Sequence, residues 1–136
     1  MGWVKELKLR NGQLWRLSST PGPPPGTEKW GACVLASLAE MPPSAGDLAA
    51  QAAAEGRCPA IGVVAPNSEA VHDHIDEIVE RHGALHVRTA FTRGPEALSE
   101  MLSLLDSGLA GPGPVYVFSD PLSYVEAGLR DEGLLS

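Results

Sequence analysis

A chain of 136 residues is long enough to bury one hydrophobic core, and we predict a single domain over residues 1–136. Its net charge of −7 and the wide spacing of its ten basic residues argue against binding to nucleic acid, which needs clustered lysine or arginine. The sequence has no run of about 18 apolar residues that would predict a transmembrane helix, and its N-terminus lacks the apolar segment of a signal peptide. We therefore expect a cytoplasmic location and no membrane partner.

The first predicted element is a β-hairpin over residues 1–18 that turns at Asn11-Gly12. A three-residue loop that ends in a left-handed Gly12 pairs Leu7 with Trp15 and places the apolar side chains on one face, whereas a two-residue turn scatters them. That face holds Trp3, Leu7, Leu9, Trp15 and Leu17. Because two tryptophans exceed what one small core requires, homodimerisation through the hairpin is an alternative hypothesis for this face.

A connector rich in proline and glycine spans residues 19–29, and a core of alternating strands and helices spans residues 30–131. The core opens with a predicted strand in GACVLASLA and a helix in SAGDLAAQAAAEG, which Ser44 caps and Gly56 ends. A short apolar strand, PAIGVVAP, follows, and then a helix from Asn67 to Arg81. The buried stripe of that helix is predicted to hold Val71, Ile75, Ile78 and His82.

The second half of the core repeats this alternation. ALHVRTAFT alternates apolar and polar residues and predicts a strand at the edge of the sheet. GPEALSEMLSLLDSG predicts a helix with Pro95 at its first position, GPVYVFSD predicts a buried strand, and PLSYVEAGLRDE predicts a final helix. The order predicts an α/β fold, namely a compact Rossmann-like or flavodoxin-like parallel sheet with helices on both faces and an N-terminal β-hairpin extension.

Motifs that hold phosphate groups or position a nucleophile are absent from the sequence: it has no G-x-G-x-x-G, no G-x-x-x-x-G-K-[ST] and no G-x-S-x-G. We therefore predict no cofactor and no catalytic residue. Two cysteines, Cys33 and Cys58, are too few for a disulfide framework and are predicted to be buried reduced thiols. No metal site is predicted, because His72 and His74 lie two positions apart and point to nearly opposite sides of a helix.

Polar residues follow three predicted strands at the edge where α/β proteins bind ligands. Each group leads into a helix N-terminus, whose free N–H groups, together with the positive charge of Arg93, favour an anion. This pattern predicts a cleft for a nucleotide or phosphate ester, in a binding protein or a hydrolase. The other interpretation is that several of these residues only cap helices. The candidate ligand-binding residues are Asn67, Ser68, Glu69, Thr92, Arg93, Ser119 and Asp120.

The helix from Asn67 to Arg81 carries a dense set of carboxylates away from its apolar stripe. Exposed carboxylates attract a basic partner, and the absence of a complete catalytic constellation favours a binding function. The leading hypothesis is therefore a non-catalytic binding or accessory protein, of immunity or regulatory type, that engages a basic protein partner. The residues predicted to contact it are His72, Asp73, Asp76, Glu77 and Glu80. We expect His72 to be half-buried and hydrogen-bonded to Asp76 or to the next strand.

Three segments carry a resemblance to a known family: GRCPAIGVVAPNSEAVHDHIDEIV, HVRTAFTRGPEALSEMLSLLDSG and PVYVFSDPLSYVEAGLRD. From about Cys58 to Asp131 the chain resembles small bacterial α/β proteins that are grouped as a domain of unknown function. The resemblance implies an α/β fold and a bacterial cytosolic protein. It carries over no catalytic residue, because none is established for that family.

Overall fold

The computed structural model describes residues 5–21, 28–84 and 86–135. The strands are β1 (Lys5–Lys8), β2 (Leu14–Ser18), β3 (Ala32–Ser37), β4 (Ala60–Val64), β5 (Arg88–Thr92) and β6 (Val115–Asp120). The α-helices are α1 (Asp47–Ala54), α2 (Ser68–Arg81), α3 (Ala97–Leu104) and α4 (Ser123–Asp131). A 3₁₀ turn (Pro43–Gly46) leads into α1, and a π-helical turn (Leu105–Leu109) follows α3. No helix in these ranges is long and apolar enough to cross a membrane.

The described strands form one six-stranded sheet in the order β1-β2-β6-β3-β4-β5. Every neighbouring pair is parallel except β1 and β2, which form the hairpin. From β3 the chain moves outward to β4 and β5 and then returns to β6, on the other side of β3. The direction of winding therefore reverses between β3 and β6, and open α/β sheets leave a crevice at such a point.

Helices cover both faces of the sheet, as the alternation of elements predicts. On one face α1 and α2 bury Ala49, Val71 and Ile75, and on the other α3 and α4 bury Met101 and Val125. The central strands β3, β4 and β6 are buried along nearly their whole length, which explains their continuous apolar sequences. The predicted α/β fold with a Rossmann-like layout is confirmed.

The N-terminal hairpin forms with the predicted three-residue loop. Leu7 lies opposite Trp15, and Gly12 has a left-handed φ of 92°. Because β2 pairs with β6, the hairpin extends the main sheet and its apolar face packs into the core, where Trp15 is 2% exposed. Trp15 therefore adds no exposed apolar surface for a homodimer, and Trp3 lies outside the described residues.

The chain enters α1 in a way that the sequence does not predict. Ser44 does not cap the helix, because it lies within the 3₁₀ turn, and neither the turn nor α1 has a side-chain cap hydrogen bond. Gly46 ends this turn against α2, so closely that a Cβ there would lie 2.5 Å from the Ile75 Cγ1. Glycine at this position lets the loop after β3 pack directly onto α2. At the other end, Gly56 terminates α1 with a φ of 82°, as predicted.

The buried stripe of α2 is rotated relative to the predicted one. Val71, Ile75 and Val79 are buried, whereas Ile78 is partly buried and His82 is exposed. The buried residues recur every four positions because α2 packs sideways against α1 and the 3₁₀ turn as well as downward onto β4 and β5. The helix is thereby fixed along its inner side and leaves the opposite side to solvent.

Candidate functional site

Asn67, the first of the predicted ligand-binding residues, holds the loop after β3 in place. Its Oδ1 accepts a hydrogen bond from the Met41 N–H at 3.0 Å, and its Nδ2 donates to the Met41 carbonyl at 2.6 Å. It makes no side-chain cap bond to α2, so the helix-cap interpretation is wrong at this position. The two bonds fix the backbone of Met41, which lines the crevice at the end of β3.

Thr92 and Ser119 also use their hydroxyls inside the fold. Thr92 is 8% exposed, and its Oγ1 donates to the Ala97 carbonyl at 2.6 Å. Ser119 Oγ donates to the Pro121 carbonyl at 2.8 Å and accepts from the Val125 N–H at 3.2 Å. The bond from Val125 satisfies a free donor in the first turn of α4, although the N-cap position of this helix is Leu122 and not Ser119.

Ser68, Glu69 and Arg93 lie away from the end of β6. Ser68 is fully buried, and its Oγ has no hydrogen-bond partner among the described residues. Glu69 and Arg93 form an exposed ion pair at 3.4 Å. The crevice between β3 and β6 is lined by none of the predicted residues that follow β4 and β5. Of the predicted set, Asp120 is the member that lines the crevice formed by the described residues between β3 and β6.

This crevice has a volume of about 400 Å³ and opens between the carboxyl ends of β3 and β6, where the winding of the sheet reverses. Its apolar lining comes from Met41, Leu48 and Phe118. Met41 and Phe118 are buried, whereas Leu48 is 42% exposed. Both the volume and the largely apolar lining are typical of sites that hold a small ligand or a side chain.

Glu40 and Asp120 are the charged groups among the described residues that line the crevice. Both residues are exposed, and neither carboxylate has an ion-pair or hydrogen-bond partner in the described part of the chain. Two unpaired negative charges next to an apolar surface suit a ligand with a positive group at one end and an apolar stem. Electrostatically, the crevice favours a cation.

The loop after β3 offers few backbone donors for an anion. The N–H groups of Leu38, Ala39 and Met41 already donate within the fold, at distances of 3.0, 3.1 and 3.0 Å. The two residues that follow are prolines, which have no N–H. A phosphate group would therefore meet neither a cradle of N–H groups nor, among the described lining residues, a positive side chain.

The β3 side of this crevice is not predicted from the sequence. Ser37, Glu40 and Met41 line it, whereas the predicted polar groups follow β4, β5 and β6. The signal that would have found them is strand order, because the switch point lies beside the first strand of the core. The alternation of elements does not by itself predict that β6 lies next to β3, on the side opposite to β4.

A larger cavity, of about 520 Å³, lies at the opposite end of the sheet between the hairpin turn and the π-helical turn. Asn11 Oδ1 accepts from the Gln13 N–H at 2.9 Å, and Gln13 Oε1 accepts from Trp15 Nε1 at 3.1 Å. Among its described lining residues Asp106 is the charged one. This cavity lies at the amino end of β6, away from the switch point, so the smaller crevice is the better candidate site.

The carboxylates near the C-terminal end of α2 lie in open solvent. Glu77 and Arg81 pair at 3.0 Å with side-chain exposures of 66% and 65%, as their four-residue spacing suggests. Glu80 is exposed and has no partner among the described residues. Exposed pairs of this kind contribute at most about 1 kcal/mol, since water and salt screen them.

Asp76 and His72 lie on the side of α2 that contacts β5. Thr89 Oγ1 donates to Asp76 Oδ1 at 2.7 Å and lies 3.0 Å from His72 Nε2. His72 also contacts Asp73, at 3.2 Å, and its ring packs on Phe91 with the centroids 4.7 Å apart. The expectation of a half-buried His72 bonded to the neighbouring strand is confirmed, with 15% of its side chain exposed. In the described ranges no three His, Cys, Asp or Glu side chains are arranged to hold a metal ion.

Comparison with known proteins yields no relative: no family model, no curated protein and no solved structure matches the chain. The resemblance of residues 58–131 to a bacterial family stays a prediction. The crevice and α2 are therefore the features that bear on function.

Proposed function

We propose that the protein is a non-catalytic binding protein that takes a basic side chain of a protein partner into the crevice between β3 and β6. The observation that carries the proposal is that two carboxylates, Glu40 and Asp120, have no partner among the described residues and lie beside an apolar lining. An isolated carboxylate on an exposed surface gains little from a cation, but an apolar wall beside it adds the burial of an apolar stem.

Arginine and lysine side chains have the shape and chemistry that this crevice offers. Each has an apolar stem and a charged head, so the stem packs along Met41, Leu48 and Phe118 while the head reaches Glu40 and Asp120. Arginine suits the site better than lysine, because its planar guanidinium donates to two carboxylates at once and loses less hydration on burial.

A binding function fits the hydroxyl groups of the crevice better than catalysis does. Ser37 Oγ accepts a hydrogen bond from the Ala39 N–H at 3.1 Å. A serine nucleophile needs a base such as histidine within hydrogen-bond reach, and no histidine lies among the described lining residues. The alternative of a nucleotide or phosphate-ester site meets the further obstacle that the charged lining groups are both negative.

The outer carboxylates of α2 take a supporting role in this proposal. With a net charge of −7, the protein attracts a basic partner over a distance of about a Debye length, and Glu77 and Glu80 contribute to that field. An accessory or immunity-type role belongs to the same proposal and draws on the acidic net charge and the carboxylates of α2. A bacterial source draws on the resemblance of residues 58–131.

The proposal is tested by titrating the full chain with N-acetyl-arginine amide and with N-acetyl-citrulline amide, which is a neutral analogue of similar shape. We expect the arginine derivative to bind with millimolar affinity and the citrulline derivative at least tenfold more weakly. The arginine affinity should fall several-fold when ionic strength rises from about 0.02 to 0.2 M. Equal affinity for both compounds, or tighter binding of inorganic phosphate than of the arginine derivative, would contradict the proposal.

A further inference from the structure

Two cysteines that are distant in sequence lie in contact inside the core. Cys33 is in β3, and Cys58 is in the segment between α1 and β4. Their Sγ atoms are 2.8 Å apart, and the residues are 0% and 1% exposed. The Trp30 N–H donates to the Arg57 carbonyl at 2.8 Å, which holds the two backbone segments together one residue from Cys58. The contact is thus fixed by the fold on both sides.

The surroundings of the pair favour sulfur–sulfur chemistry over metal binding. No third histidine, cysteine or carboxylate joins them as a metal ligand set in the described ranges. The hydrogen bond with Cys58 and complete burial raise the pKa of the Cys33 thiol well above its usual value, so this thiol is a poor nucleophile in the closed protein. Both cysteines belong to the buried apolar cluster that contains Leu35, Ala53 and Ile61.

We propose that Cys33 and Cys58 form an intramolecular disulfide when the protein meets a low-molecular-weight disulfide such as oxidised glutathione. Cys58 reacts first, because it lies in a connecting segment whose local opening exposes it, whereas Cys33 lies inside the sheet. The Cys58 thiolate attacks oxidised glutathione, which forms a mixed disulfide and releases one glutathione.

The second exchange closes the bond. In the same locally open state, the Cys33 thiolate attacks the Cys58 sulfur of the mixed disulfide, which forms the Cys33–Cys58 bond and releases the second glutathione. In sum the two thiols lose two protons and two electrons, and one oxidised glutathione is reduced to two glutathione molecules. The native fold favours this bond because it already brings the two side chains together.

The disulfide would cross-link β3 to the segment that follows α1. It closes a loop from residue 33 to residue 58 that contains the 3₁₀ turn and α1. Cross-linking a loop of this kind lowers the entropy of the unfolded chain and so stabilises the native one. Cys33 lies near the start of β3, whereas Ser37, at the end of this strand, lines the crevice. The inference therefore stands independently of the proposed binding function.

The experiment equilibrates the full chain with graded mixtures of reduced and oxidised glutathione, once in buffer and once in concentrated urea. Acid quenching and intact-mass measurement then give the cross-linked fraction, and peptide mapping without reductant locates the bond. The measured quantity is the ratio of the oxidised glutathione concentration to the square of the reduced glutathione concentration at which half of the chain is cross-linked. We expect this ratio to be at least tenfold lower for the native chain than for the unfolded chain. Cys58→Ala should form only mixed disulfides or intermolecular dimers.

Two results would overturn the inference. One is a native chain that keeps both thiols under conditions in which the unfolded chain is cross-linked. The other is an equal requirement for oxidised glutathione in buffer and in urea, which would mean that the fold does not favour the bond. Both readouts use the unsubstituted protein, so they decide the question even if Cys58→Ala does not fold.

Discussion

The outer side of α2 and the crevice between β3 and β6 are both acidic, but their carboxylates stand in different surroundings. On α2 the charges are more numerous, and most are already partnered: Glu77 by Arg81 at 3.0 Å and Asp76 by Thr89 at 2.7 Å. In the crevice there are two, Glu40 and Asp120, and neither has a partner among the described residues. The region with fewer charges therefore has the greater unused capacity to bind a cation.

This difference shows why charge density in a sequence is a poor guide to a binding site. Charges spaced along a solvent-exposed helix are screened, and they form pairs with neighbours four residues away. The carboxylates of the crevice stand beside apolar side chains, which can pack against the stem of a cationic ligand. In this protein α2 matters to the site mainly through its inner side, which supports the wall of the crevice.

The largest expected effect comes from the inner side of α2. Replacing Ile75 with alanine removes a fully buried side chain that packs against Gly46 of the 3₁₀ turn. We expect a loss of about 2–5 kcal/mol in the free energy of unfolding, because the cavity lies between two packed elements. Urea denaturation measures this loss. The matched control, Glu77→Ala on the outer side, should change stability by no more than about 0.5 kcal/mol, and comparable losses would contradict the distinction between the two sides.

A smaller loss of stability is expected when the hydrogen bonds between Asn67 and Met41 are removed. Asn67→Ala removes both hydrogen bonds to Met41 and leaves its backbone donor and acceptor unpaired. This should lower the free energy of unfolding by about 1–3 kcal/mol and also weaken binding of N-acetyl-arginine amide. Denaturation and titration of the same sample separate the two effects, with Glu69→Ala as the neighbouring control. Unchanged stability together with unchanged binding would show that Asn67 does not support the site.

Removing the crevice charges should affect binding and leave stability nearly unchanged. The double variant Glu40→Gln, Asp120→Asn keeps the side-chain shapes and removes two unpaired negative charges. We expect the affinity for N-acetyl-arginine amide to fall at least tenfold, since hydrogen bonds to charged groups contribute about 1.5–3 kcal/mol. The free energy of unfolding should stay within about 0.5 kcal/mol of the original. Isothermal titration calorimetry gives the first quantity, and full retention of affinity would exclude the crevice as the site.

The smallest effect is expected on the outer side of α2. Glu77→Gln with Glu80→Gln removes the same number of charges as the crevice variant, and both residues lie in open solvent. Affinity for the arginine derivative should change by less than about twofold at 0.15 M ionic strength, because water and salt screen the field of exposed charges. Titration under the same conditions provides the comparison. A tenfold loss of affinity in this variant would indicate that the binding site is on α2 and not in the crevice.

Much of the fold could be predicted from the sequence because its signals are local. The turn at Gly12 follows from the need to bring Leu7 and Trp15 to one face, and the order of elements follows from hydrophobic periodicity. The rotation of the α2 stripe toward Val79 was missed, because it depends on the sideways packing of this helix against α1. The start of α1 was missed for a related reason, because the close contact between Gly46 and Ile75 leaves no room for a larger side chain at position 46.

The site was less predictable because it depends on which segments meet in space. The rule that ligands bind at strand ends led to Asp120, which lines the crevice, but it could not select Glu40 and Met41 without the strand order. Asn67 and Ser119 show a second limit, since a polar residue at a strand end looks the same in sequence whether it contacts a ligand or another segment. The contact of Cys33 with Cys58 likewise depends on the packing of segments 25 residues apart.

The most direct test of the crevice as the cation site is the pattern of amide chemical-shift changes when the ¹⁵N-labelled protein is titrated with N-acetyl-arginine amide. The account predicts that the largest changes fall on Ser37, Glu40, Met41 and Asp120, and that they disappear with the citrulline derivative. Changes centred on residues 72–80 of α2, or of equal size for the two compounds, would contradict it.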